Sequence, residues 1–212
     1  DSLRNESTAI REGKSDLAHL WRTRADESKQ HAKNFREQSK DALYRLNYYN
    51  LASMNMMDMM AAALKREEDS KKEGALELAA LWKKQAEQYR KSDLYWKQSE
   101  QARQNKENQK AAWFANAARN LGDDYSSSSR YLSDAATALK EETLAKADGK
   151  NELGELYRKK SDYYQRAADY IHRSAISYLE GNQEQANHWE KAAHAEGKTS
   201  EGTSWNKAGN GF

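Results

Sequence analysis

The chain contains no cysteine and no proline. Without thiols there are no disulfides, no zinc–thiolate centres and no cysteine nucleophile. Without proline, the residue that most strongly breaks or kinks a helix is missing, so helices can run long. Long apolar runs are scarce as well. The longest apolar-leaning stretch, residues 51–64, is interrupted by Asn55 and Asp58 and is too short to span a bilayer. An excess of one charge is also lacking: 35 Lys and Arg stand against 33 Asp and Glu. The signs are interleaved, which describes a solvated surface laced with ion pairs, not a footprint for nucleic acid. With 37% of its 212 residues hydrophobic, the chain suits thin architectures in which each helix buries one narrow stripe.

What is present is helix-forming. Ala, Glu, Lys, Gln, Arg and Leu dominate, and strand-like alternation is hard to find, so the expected fold class is all-α. The breaks are expected at glycines placed as helix C-caps: Gly13, Gly74, Gly122, Gly149, Gly181 and Gly197. Softer breaks are expected at Asn47–Asn50 and Asn105–Asn108, and Asp123–Asp124 is a candidate cap for the following helix.

Internal repetition is the strongest signal. When Leu20-Trp21, Leu81-Trp82 and Leu156-Tyr157 are superimposed, Gly13, Gly74 and Gly149 coincide, as do Leu17, Leu78 and Leu153. The stretch "AAALKREEDSKKEGALELAALW" (61–82) lies over "ATALKEETLAKADGKNELGELY" (136–157) at a constant offset of 75. A further copy starts at Gly197, with Trp205 eight residues after the glycine and Phe212 at the place of Tyr89 and Tyr164. This register divides the chain into a lead-in helix end (1–12), repeats at 13–73, 74–148 and 149–196, and a truncated repeat at 197–212. Together they form one continuous array of antiparallel helical hairpins with about six to eight helices and no sheet. The first copy is 14 residues shorter than the second and lacks a counterpart of "QKAAWFANAARNLG". That stretch resembles "QANHWEKAAHAEG", with Trp113 over Trp189 if one residue is skipped, and predicts a helix present in some copies and absent from others.

Within each copy the core stripe steps by four and three, as in a coiled coil. In the third it reads Tyr157, Ser161, Tyr164, Ala168, Ile171, Ala175, Tyr178. Small residues let helix axes approach, and aromatics fill the space between layers. Six Trp and twelve Tyr against three Phe favour aromatics with a polar tip, which suit half-wet interfaces.

All five methionines fall in "MNMMDMM" (54–60). The repeat register turns Met56, Met57 and Met60 toward the core and Met54 and Met59 outward. Thioethers are soft ligands, and Cu(I) is the sharp alternative. However, no His or Cys stands nearby and the equivalent copy carries no methionine. Adaptable packing, partly against another copy or chain, is the preferred reading. The acid–histidine pairs Asp16/His19 and Asp169/His172 occupy different repeat positions, so they do not build a di-metal bundle site. No phosphate-binding loop and no nucleophile–base arrangement is present in the sequence.

The Leu-Trp helix starts loosely resemble tetratricopeptide repeats. Offsets of 61, 75 and 48 do not fit the period of about 34 residues in that family, and its closing proline is missing, so its peptide-binding role is not carried over. The Trp/Tyr/Ala-rich texture of the second half, with "EGTSWNKAG", resembles helical repeat proteins of chlamydia-like intracellular bacteria. That resemblance implies a bacterial, exported protein. The chain begins at Asp1, as a processed form or a fragment would, and the reading leans toward an extracellular or cell-surface setting.

The function expected from these features is that of a non-enzymatic structural protein that self-assembles through its repeats. The expected interface residues are Met54, Met56, Met57, Met59, Met60, Trp205 and Phe212. Its partner is then another copy of itself, with no cofactor, no nucleic acid and no membrane span. The alternative is a helical-repeat scaffold that binds another protein.

Overall fold

In a computed structural model that describes residues 2–37, 40–123 and 127–202, with side chains at 2, 4–30, 55–122 and 127–196, the chain is all-helical. The described residues form eight α-helices. They are α1 (Ser2–Arg11), α2 (Ser15–Glu37), α3 (Lys40–Lys72), α4 (Leu76–Gln104), α5 (Asn108–Ala118), α6 (Ser128–Ala147), α7 (Asn151–Leu179) and α8 (Gln183–Gly202). A π-helical turn, Arg119–Asp123, extends α5.

One turn design is used five times. Between α1 and α2, α3 and α4, α4 and α5, α6 and α7, and α7 and α8, three residues connect two helices. The central residue has positive φ each time: Gly13 at 71°, Gly74 at 74°, Lys106 at 62°, Gly149 at 76° and Gly181 at 74°. Its N–H bonds back three residues and the next N–H five, as in Gly74 to the Lys71 carbonyl (3.1 Å) and Ala75 to the Ser70 carbonyl (2.9 Å). This Schellman closure satisfies the orphan carbonyls at each helix end and folds the chain back on itself. Asn105 therefore lies in a turn as expected, whereas α3 runs through Asn47–Asn50 without a break. Gly122 and Gly197 differ from the other four glycines. Gly122 sits in the π-turn, and α8 continues through Gly197 to Gly202. Asp123 ends the π-turn and does not cap α6, and Asp124 lies outside the described residues. That task falls to Ser127, whose hydroxyl accepts from the Arg130 N–H.

The offset of 75 holds residue by residue. Adding 75 to α4, Leu76–Gln104, gives Asn151–Leu179, the bounds of α7, and Lys106 falls on Gly181. Adding 75 to the start of α5 gives the start of α8. Tyr95 stacks on Phe114 (6.3 Å, 19° between planes) as Tyr170 stacks on Trp189 (5.7 Å, 13°). Phe114, not Trp113, is thus the counterpart of Trp189, and no residue is skipped. Trp113 instead lies on the α7–α8 turn, its ring 3.0 Å from where a Cβ on Gly181 would stand.

Helices α3 and α4, and α6 and α7, pair as hairpins. The α4 helix also packs on α6, and α5 packs on α7. Three polar contacts, Glu77–Arg158, Lys84–Asp169 and Gln88–His172, run in the same order along α4 and α7, so these two helices are parallel. The expected small-residue stripe carries a polar layer. Buried serine hydroxyls donate to carbonyls of neighbouring helices: Ser92 to Ala118 (2.7 Å), Ser99 to Ala111 (2.8 Å), Ser128 to Ala168 (2.9 Å) and Ser161 to Ala135 (3.0 Å). Each buried bond of this kind contributes about 1 kcal/mol and needs close backbone approach.

Candidate functional site

Two stripes run along α4. One, Ala79, Ala86, Tyr89, Asp93 and Trp96, is buried, as are its equivalents on α7: Gly154, Ser161, Tyr164, Ala168 and Ile171. The other, Leu78, Leu81, Trp82, Gln85 and Gln88, is also buried on α4. Its first three residues join the core cluster with Leu132, Ala135, Ala136 and Leu139 of α6. Gln85 donates to the Ser129 carbonyl at 2.9 Å, and Gln88 accepts from His172 Nδ1 at 3.0 Å. On α7 the equivalents of this second stripe are Leu153, Leu156, Tyr157, Lys160 and Tyr163, and every one is half-buried. Among the described residues, a face that α4 covers with α6 is therefore left partly open on α7. At α2 the same face lies under α3 with Leu20 buried and Leu17, Trp21, Arg24 and Glu27 half-buried. There Arg24 forms an ion pair with Asp58, and a cleft of about 540 Å³ remains between α1, α2 and α3.

The methionines sit in α3. Met56 and Met57 are buried within the chain, Met60 is half-buried and Met59 is 50% exposed. Met56 packs with Tyr89, Trp96, Ala115 and Ala118. Flexible thioethers suit this junction, where α3, α4, α5 and the π-turn converge. The Met54 side chain lies outside the described residues, and so do Trp205 and Phe212. Met56, Met59, Arg66, Gln85, Tyr89, Ser127, Ser129 and Arg130 line a cleft of about 620 Å³.

A recurrent acid accompanies the turns. Glu6, Glu67 and Glu142 each precede a turn glycine by seven residues, and all three are buried. Glu6 accepts from Arg22 (2.7 Å), Glu67 from Lys71 (2.6 Å) and Glu142 from Lys146 (2.6 Å), with Arg158 at 3.6 Å from Glu142. The signal was present in the aligned copies, but a glutamate beside a lysine-rich helix end looks like solvated surface until burial is known.

Ionisable groups with displaced affinity are dispersed. Burial, together with Lys91 and Lys84, holds His172 below the usual histidine range, against the pull of Asp169. Lys97 is held up because hydrogen bonds to Asp93 and Glu27 outweigh its burial. Burial raises the Tyr95 phenol. Asp169, which the sequence pairs with His172, bonds Lys84 at 2.7 Å instead, while His19 is exposed beside Thr23. Among the described residues, no three His, Asp or Glu side chains converge to hold a metal ion. None of the helices, so far as described, is long and apolar enough to cross a membrane.

Comparison with protein-family models and with curated proteins finds no match.

Proposed function

We propose that the chain is a non-enzymatic structural protein that self-assembles by continuing the packing of one repeat on the next. The half-buried stripe Leu153, Leu156, Tyr157 and Tyr163 carries this reading, because the same stripe on α4 is buried against a further helix, α6. Completing the burial of two leucines and two tyrosines supplies a driving force of several kcal/mol, at about 25 cal/mol per Å² of apolar surface. The test is sedimentation velocity over a rising concentration series, on the parent chain and on Leu156→Glu/Tyr157→Glu, with circular dichroism to confirm retained helix. Association in the parent and its loss in the variant are the expected results. A parent that stays monomeric throughout overturns the reading.

A second reading, a protein-binding scaffold, draws support from the 620 Å³ cleft. It presents the exposed Met59 beside Arg66 and Arg130, and at its wall the buried Gln85 carries an Oε1 without a hydrogen-bond partner.

A further inference from the structure

We infer that the cleft between the α3–α4 turn and the last turns of α6 is a two-fold contact between copies of this chain, with Leu76 of each copy seated against Leu144 of the other. This surface is separate from the α7 stripe, so the inference goes beyond the stacking of repeats proposed above.

Two clefts occupy equivalent places in successive repeats. The ten residues that line the first, between the α1–α2 turn and the end of α3, map one for one onto residues that line the second, at offsets of 61 for the turn and 75 for the helix. The first is closed by the chain's own charges. Lys14 bridges Glu12 (2.8 Å) and Glu68 (3.4 Å), and Lys72 holds Glu68 from the other side (3.1 Å). In the second, Ala75 replaces Lys14, Thr143 replaces Glu68 and Ala147 replaces Lys72, so the whole ion network is gone. The cleft widens from about 300 to about 630 Å³. Leucines also stand where the first cleft has Ser15 and Asp69: Leu76, 70% exposed, and Leu144, 60% exposed. Single exposed leucines are ordinary, but two that line one cleft, at positions polar in the equivalent copy, form an apolar patch of the kind that partners cover.

The remaining charges select the partner. Glu77 is taken by Arg158 at 2.6 Å, and Lys146 by Glu142 at 2.6 Å. Glu73 on the turn and Lys140 on α6 also line the cleft, both exposed and neither ion-paired among the described residues. Each wall thus carries one leucine and one charge, and the two charges are opposite in sign. A partner of a single sign satisfies only one of them. A second copy turned about a two-fold axis satisfies both, because it sets Glu73 of each copy against Lys140 of the other.

The test is sedimentation velocity of the full chain over a rising concentration series, where the parent is expected to show a monomer–dimer step. Leu76→Ser/Leu144→Asp installs the residue types that the first cleft already carries at those positions. It is expected to weaken dimerisation by about tenfold or more, while circular dichroism and the urea midpoint hold. Glu73→Lys and Lys140→Glu are each expected to weaken it by about threefold alone. An equimolar mixture of the two is expected to return to the parental affinity, since in the mixed pair both crossed contacts join opposite charges. Association that ignores Leu76→Ser/Leu144→Asp, single variants that the mixture does not rescue, or a parent that stays monomeric overturns the inference. Association lost through these leucines but untouched by Leu156→Glu/Tyr157→Glu supports it and removes the stacking reading. The reverse pattern keeps the stacking reading and removes the two-fold contact.

Discussion

Gly122 meets Met56 so closely that a Cβ on the glycine would lie 2.7 Å from the methionine Sδ, with Ser92 Cβ at 2.8 Å on its other side. The π-turn thus rests its backbone directly on α3 and α4. Gly122→Ala is expected to destabilise the fold by about 1–3 kcal/mol through overpacking. Met56 can bend away but the serine Cβ cannot, so Met56→Ala should restore little. Urea midpoints of the single and double variants check this.

Lys106 occupies the one described turn centre without glycine, at φ 62°. A side chain in this region costs about 1–2 kcal/mol relative to glycine. Lys106→Gly should therefore raise stability by about 1 kcal/mol, seen as a higher urea midpoint. At the equivalent turn Gly181→Ala should lower it, both through the backbone and through contact with the Trp113 ring.

Ser161 is fully buried and donates to the Ala135 carbonyl, so Ser161→Ala should cost about 1 kcal/mol. Ser161→Val should cost more, because the branched side chain pushes α6 and α7 apart. Ala86, its equivalent on α4, offers the matched control: Ala86→Ser is expected to gain nothing unless a carbonyl comes within reach.

His172 ties stability to pH. Its folded affinity for protons is lowered, so the unfolded chain binds a proton first as pH falls through about 6.5. Stability is full above that value and declines as pH drops toward the folded pKa. His172→Asn should flatten this slope between pH 7.5 and 5. Parallel urea titrations at the two pH values measure it.

Much of the array was legible in the sequence because turn and register rest on local chemistry. A glycine after a lysine- or glutamate-rich helix end announces the Schellman closure, and three such glycines in register set the start of α2, α4 and α7. Gly122 misleads because a missing side chain serves close approach as readily as positive φ, and local sequence does not say which. The π-turn and the shift from Trp113 to Phe114 depend on what α5 packs against. The open face of α7 was invisible for a similar reason: Leu153 and Leu78 are the same residue type in the same pattern, and what distinguishes them is whether a neighbour lies on top. The buried glutamates lie between these cases, regular in sequence yet indistinguishable from surface acids until the helices are assembled.

The identity of the turns at Gly74 and Gly149 makes the stretch between them a removable cassette. Excising residues 75–149 joins Gly74 to Lys150, so that α3 runs through an unchanged closure into α7, a helix of the same length as the α4 it replaces. The 212 − 75 = 137 residues that remain are expected to fold as a shorter version of the same array. Duplicating the cassette should lengthen the array by one step. Size in this architecture is then counted in whole modules.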